Sequence, residues 1–293
     1  MSLLMQLTIN GAIAGSIYAL IASGFSLIYG TNKFMHFAHG AAVSVAGYSL
    51  FYFFSSGLKF YQSVLVTLIL AGAFGFFIYK IIYLPLQNRN ASNIVLLVAS
   101  IALLILFENL IQIIFGANVS SINYLEVKEG FDFLGASITG IQIIIIGVSL
   151  LLLFSLYLFM KKTSIGKVMR AVADNKELAA IGGIDPVKIA NYSFILGSLL
   201  AGVAGILIGL EQSLTPGMGT SLIIKGFTGA VIGGITSVPA SILGSYILGF
   251  AENYGIAFLS SGYKDAIAFV ILFIFLLLKP NGLFGINQGV KNV

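Results

Sequence analysis

The chain has 293 residues, of which 58% are hydrophobic and 9% charged, with a mean hydropathy of +1.04; soluble domains are roughly one-quarter charged. That balance excludes an ordinary soluble domain and points to a polytopic membrane protein. The formal charge of +5 reflects loop orientation and excludes nucleic acid as a partner, and without cysteine there is no disulfide, thiolate nucleophile or zinc-thiolate site.

Long charge-free runs punctuated by Gly, Asn, Pro or charge predict helices near 4–29, 37–56, 61–84, 94–116, 137–160 and 189–210, then 222–236, 239–259 and 264–279. The expected fold is all-α: one transmembrane domain over 1–293, a helical bundle of about eight to nine spans. The first 29 residues lack a basic leading region and read as a retained helix, not a cleaved signal. Residues 141–153 show no polar alternation, which favours bilayer helices over the strands of an outer-membrane barrel.

Two loops set the orientation. Residues 117–136 carry Glu126, Glu129 and Asp132 against Lys128, whereas 161–188 carry Lys161, Lys162, Lys167, Arg170, Lys176 and Lys188 against Asp174, Glu177 and Asp185. Basic loops stay in the cytoplasm. The first loop is therefore outside and the second inside, with Lys33, Lys80 and Arg89 inside and the N-terminus and Lys59 outside. The stretch 222–236 is short, glycine-rich and interrupted by Lys225, which predicts a broken helix. If it spans, Lys279 and Lys291 end in the cytoplasm; if it is re-entrant, the C-terminus ends outside.

Small residues four apart recur at Gly11/Gly15, Gly205/Gly209 and Gly229/Gly233, a spacing that lets membrane helices approach closely. Generic packing is preferred over an inverted repeat. The sole Gly-Lys pair, Gly166-Lys167, is followed by Val168 and has Lys161 where a phosphate loop needs glycine. The chain is expected to be no enzyme, to hold no metal or cofactor, and to hydrolyse no ATP itself. His36 and His39 share one helical face but lack a nearby carboxylate, so packing or helix-end hydrogen bonding is preferred over metal binding. Glu108, Glu211, Lys225, Glu252 and the Lys264-Asp265 pair gather toward outer ends. They either pair at the interface or line a vestibule that meets a polar solute or a docking protein.

Between Lys161 and Lys188, Ile165, Val168, Met169 and Val172 recur at helical spacing, and Ala179, Ala180 and Ile181 continue that side to Gly182-Gly183. This predicts one amphipathic helix over 164–182. It can lie on lipid headgroups, but its small apolar side and its acids fit a groove on another protein better.

The run Thr163 to Asp185 resembles the cytoplasmic coupling segment of branched-chain amino acid ABC transporter permeases of the LivH type. So do Ala19 to Gly30 leading into Phe37-Ala-His-Gly40, Gly226 to Pro239, and Lys279 to Gly285. The resemblance covers nearly the whole chain in the expected order. It implies a multi-pass subunit of a bacterial inner-membrane importer, paired with a second related permease, seated on two cytoplasmic ATPase subunits that bind the ATP, and fed by a periplasmic solute-binding protein. It places Gly166, Arg170, Ala171, Glu177, Ala179 and Gly182 in the ATPase cleft, His39 and Gly40 in the first-half motif, and Gly233, Gly234 and Pro239 in the second. With Glu108, Glu211 and Glu252, His39 and Gly40 form the candidate pathway or vestibule set. His36 stands where the family commonly has Asn, and Ala41 where a larger or acidic residue is frequent. The implied function is import of Leu, Ile and Val by alternating access, with urea or short amides as alternative solutes. An ion-coupled carrier or channel and a non-transporting membrane scaffold are readings from other classes.

Overall fold

The computed structural model describes residues 2–122, 124, 130–133 and 135–284; Glu126, Lys128, Glu129, Gly285 and Lys291 lie outside the described residues. Helix α1 (Ser2–Asn32) is followed by α2 (His39–Ser55) and by α3 (Phe60–Ile78), which continues through a π-helical turn at Tyr79–Tyr83 into α4 (Leu84–Asn88). Next come α5 (Asn93–Phe115), a hairpin of β1 (Phe131–Phe133) and β2 (Ala136–Ile138), and α6 (Gly140–Lys162). Two short helices, α7 (Ser164–Asp174) and α8 (Lys176–Ile181), lead into α9 (Pro186–Glu211), α10 (Met218–Gly233), α11 (Val238–Gly255) and α12 (Lys264–Leu278).

A helix occurs in every predicted segment, but the span count changes. Five stretches have the length and hydropathy to cross a membrane: Leu3–Asn32, Phe60–Asn88, Asn93–Phe115, Gly140–Lys162 and Pro186–Glu211; the α10–α11 pair, bent by 114°, makes a sixth. Helices α2, α10 and α12 have 17, 16 and 15 residues, short of the about 20 that a crossing usually takes. By length and composition alone, five or six of the expected eight to nine spans qualify.

Three local expectations are corrected. The helix predicted from 137 starts at Gly140, because Thr139 accepts from the Gln142 N–H and Gln142 reaches back to Thr139, closing a capping box. Ahead of it Phe131 pairs with Ile138, and Asp132 accepts from the Gly135 N–H to fix the turn. Lys225 does not break its helix; α10 runs through it and stops at Gly234, whose φ of 132° is open to glycine alone. The helix predicted over 164–182 is two helices, because Asn175 adopts an extended backbone and caps α8 by accepting from the Leu178 N–H.

Helix α1 is the axis of the bundle. Its 31 residues make it about 46 Å long, and 89% of its most apolar window is buried, against 22% for α6 and 28% for α5. Around it pack α9, α10 and α11, with α2 against α9 and α10. The outer helices α3, α5, α6 and α12 expose Leu65, Ile113, Phe154 and Phe273, as lipid-facing helices do. Close approach depends on glycine at the crossing of α2 and α10, where a Cβ on Gly40 would collide with the Gly219 carbonyl, and one on Gly219 with the Gly40 carbonyl. The Gly11/Gly15 pair likewise receives Gly249 of α11, so this small-residue spacing serves packing.

Side-chain bonds order the helices by depth. Thr8 meets Tyr254 at 2.8 Å and Ser16 meets Tyr246 at 2.9 Å, so α11 runs antiparallel to α1. The α10–α11 turn shares a cavity with α7 and the C-terminal part of α1. After α12, the Leu283 and Phe284 N–H groups donate to the Ile232 and Gly233 carbonyls at 2.8 and 2.9 Å. The end of α12 therefore lies at the same end of the bundle as α7.

Candidate functional site

At the α7 end, Thr163 caps α7 by accepting from the Gly166 N–H, and the helix turns a sharp corner onto α6. Gly166 is buried in that corner, where a Cβ would strike the Phe159 carbonyl and the Met160 backbone. Met169 and Val172 are fully buried against the bundle. Arg170, Ala171, Glu177 and Gly182 are exposed, whereas Ala179 is buried. The coupling set thus divides: Gly166 and Ala179 seat the two helices on their own chain, and the other four face outward. Beside them Leu178 and Ile181 are 66% and 84% exposed.

The two ends of this segment are anchored. Lys33 donates to the Ala173 carbonyl at 2.5 Å, closing the C-terminal end of α7 onto the last turn of α1. Burial in this contact lowers the Lys33 pKa, and the Asp174 charge opposes the shift. Asp185 caps α9 by accepting from the Lys188 and Val187 N–H groups. Its pKa is lowered, first by the Lys188 N–H and further by the Val187 N–H and the Lys188 charge. Behind α7 lies a cavity of about 470 Å³, with Arg170 and Lys161 on its wall together with Leu27, Met169 and Val238.

His36 and His39 are both buried in the middle of the bundle. His36 Nδ1 lies 2.9 Å from the Tyr83 hydroxyl, and its ring packs on Phe194. His39 lies against Gly24 of α1, and neither of its nitrogens closes a hydrogen bond of full geometry. Gly40 is the α2 side of the α2–α10 crossing. These residues pack the core of the bundle.

The far end holds a connected polar assembly. A cavity of about 630 Å³ opens between α1, α9, α10 and α11, within the roughly 300–1,000 Å³ of small-molecule sites. Ile13, Ile17, Ile208 and Leu222 form apolar wall, and Glu211, Lys225 and Lys264 bring charge to it. Lys225 pairs with Asp265 at 2.9 Å and with Glu252 at 3.7 Å, and Glu252 accepts from the Tyr18 hydroxyl at 2.8 Å. Glu252 is wholly buried, so it is a structural ion-pair partner and no vestibule wall. Glu211 does line the cavity and accepts from the Gln142 amide at 2.9 Å. Glu108 lies across α10 in a separate cavity of about 300 Å³, where it accepts from Thr220 at 2.7 Å. Lys225 reaches both cavities.

The vestibule set is thus scattered: Glu211 in one cavity, Glu108 in another, Glu252, His39 and Gly40 in the interior. Sequence reasoning did not single out Tyr18, Gln142 or Asn253. None carries a charge, and their partners Glu252, Glu211 and Lys264 are known only once the helices are packed. Lys225 did carry a signal, a lone cation inside an apolar helix, which at membrane depth calls for a partner.

Comparison with known proteins identifies the family. Residues 7–276 match the family described as branched-chain amino acid transport system, permease component. The high-affinity branched-chain amino acid transport system permease protein BraD of Pseudomonas aeruginosa is 32% identical over 96% of this chain and 95% of its own length. The corresponding LivH protein of Escherichia coli is 31% identical over 96% and 95%. A probable LivH permease of Methanocaldococcus jannaschii is 31% identical over 96% and 93%. Among solved structures, PsaBC of Streptococcus pneumoniae in complex with Fab aligns with a TM-score of 0.47 and 17% identity over 96% of this chain and 91% of that one. A family match across most of the chain, joined to relatives of this identity and coverage, leads to one conclusion: the chain belongs to the LivH-type permeases of branched-chain amino acid transport.

Proposed function

We propose that this chain is the membrane-spanning subunit of an ATP-driven importer that carries branched-chain amino acids into the cytoplasm, and that α7 and α8 dock on a partner ATPase. The observation that carries the proposal is the division of α7 and α8 into two faces. Met169, Val172 and Ala179 are seated on the bundle, while Arg170, Ala171, Glu177, Leu178 and Ile181 are exposed. Exposed Leu and Ile beside charged residues fit a protein groove. In this reading the α7 end is cytoplasmic, and each described helix of 15 residues or more crosses the bilayer, α2, α10 and α12 included.

A chain without a phosphate loop needs its energy from elsewhere. ATP binding by two partner subunits would shift α7. Because α7 is tied to the end of α1 by the Lys33–Ala173 bond and cornered on α6 at Gly166, the shift would pass to the central helix and alternate access between the two ends. A sister permease completes the pathway, and a periplasmic binding protein delivers solute.

The test is leucine uptake by vesicles carrying the reconstituted complex. Arg170→Glu and Ala171→Trp each reduce ATP-dependent uptake to background, with the chain still inserted and paired. Both sites are exposed, so neither change disturbs the bundle. Gly166→Trp is a poorer probe, because it breaks the α6–α7 corner itself. Normal uptake by both exposed-site variants, or uptake by this chain without ATPase subunits, defeats the proposal.

A further inference from the structure

The far-end cavity carries two charges that are not neutralised by ion pairing. Glu211 is held by the Gln142 amide at 2.9 Å, and Lys264 donates to the Asn253 amide oxygen at 3.3 Å. Among the described residues neither has an oppositely charged partner within 4 Å, whereas Lys225 beside them has two. Lys264 senses Glu252 at longer range, but that carboxylate is buried behind Lys225 and Tyr18. An acid and a base therefore come to the wall of one cavity, each steadied by a neutral amide and neither quenched by the other.

Ionisable groups on membrane helices usually face a bundle interior or a water-filled cavity, where they pair or meet a solute. Retaining one of each sign without an ion pair suits a ligand that supplies both counter-charges. A net cation would gain from Glu211 and be opposed by Lys264, and a net anion the reverse. A zwitterion gains from both. The remaining wall, Ile13, Ile17, Ile208 and Leu222, offers apolar cover to an aliphatic side chain.

We infer that this cavity is a solute site within a single permease chain for a zwitterionic α-amino acid with an aliphatic side chain, its ammonium toward Glu211 and its carboxylate toward Lys264. The site rests on the importer reading and adds a place and a charge logic to it. Solute released by the binding protein would pause here before reaching the bundle interior. Lys225, already engaged by Asp265 and Glu252, holds the floor of the site in position.

The experiment measures equilibrium binding to the purified permease complex without ATP, using leucine, leucinamide, which lacks the carboxylate, and 4-methylpentanoate, which lacks the ammonium. The wild type binds leucine at least about tenfold more tightly than either analogue, the factor that corresponds to about 1.4 kcal/mol. Glu211→Gln removes the preference over 4-methylpentanoate and keeps the one over leucinamide. Lys264→Met does the opposite. This crossed pattern is not expected of a general loss of folding, and the wild-type ranking tests the site even if a variant fails to insert. No saturable leucine binding, equal binding of the three probes, or variants that leave both preferences intact overturns the site. If uptake remains ATPase-dependent while binding shows no such ranking, the site alone falls. If uptake is independent of ATPases, the importer reading falls.

Discussion

The Lys225 network of the far end and the exposed charges of α7 and α8 treat charge in opposite ways. At the far end Lys225, Asp265, Glu252 and Tyr18 form a connected network around a wholly buried carboxylate. At the α7 end Lys167, Arg170, Lys176 and Glu177 are exposed, and none joins an ion pair among the described residues. The first arrangement stabilises one geometry, since a buried ion without its partner is severely penalised. The second contributes little to stability and leaves its charges available to another molecule. Substitutions at the two ends should therefore fail differently, one in stability and the other in transport.

The largest expected effect is at the far end. Lys225→Met strands Glu252 in the interior and costs about 3–5 kcal/mol, read as a lower unfolding temperature of the detergent-solubilised protein. A second change, Glu252→Gln, recovers part of the loss. If Lys225→Met is as stable as the wild type, the contrast between the ends disappears.

A smaller effect is expected where α7 meets α1. Lys33→Ala removes the cation at the α7 C-terminus and costs about 0.3–1 kcal/mol, with faster hydrogen exchange confined to α7. Exchange spreading through α1 would mean that the two helices are one stability unit and sharpen the contrast in another direction.

The smallest effect is at Asp185. Its pKa is lowered in the folded chain, so its contribution is complete above the ordinary carboxylate value of about 3.9 and is lost as pH falls through the folded value. Asp185→Asn should flatten that acid limb of the stability profile by giving up, slightly, the stability the carboxylate adds near neutral pH. An unaltered acid limb would remove the capping contribution.

Much of the fold was legible because apolar run length reports helices directly, and α1, α5 and α9 follow from it. The hairpin at 131–138 was not, since three-residue strands depend on a turn bond from Asp132 that no periodicity announces. The break at Asn175 had a visible capping residue, but the apolar spacing on both sides of it concealed the change of direction. Of the candidate site, exposed Arg170 and cavity-lining Glu211 were within reach of sequence reasoning. The burial of Glu252 was not, because its partner Lys225 lies on the other side of a 114° bend.

The residues after α12 turn back to donate two backbone hydrogen bonds to Ile232 and Gly233, at the point where α10 ends. A ribosome makes those donors about fifty residues after the carbonyls they satisfy, when α11 and α12 have already been synthesised. The last turn of α10 consequently stays unsealed until that stretch of chain has been made. Premature termination after Leu278 would leave the Ile232 and Gly233 carbonyls without these donors.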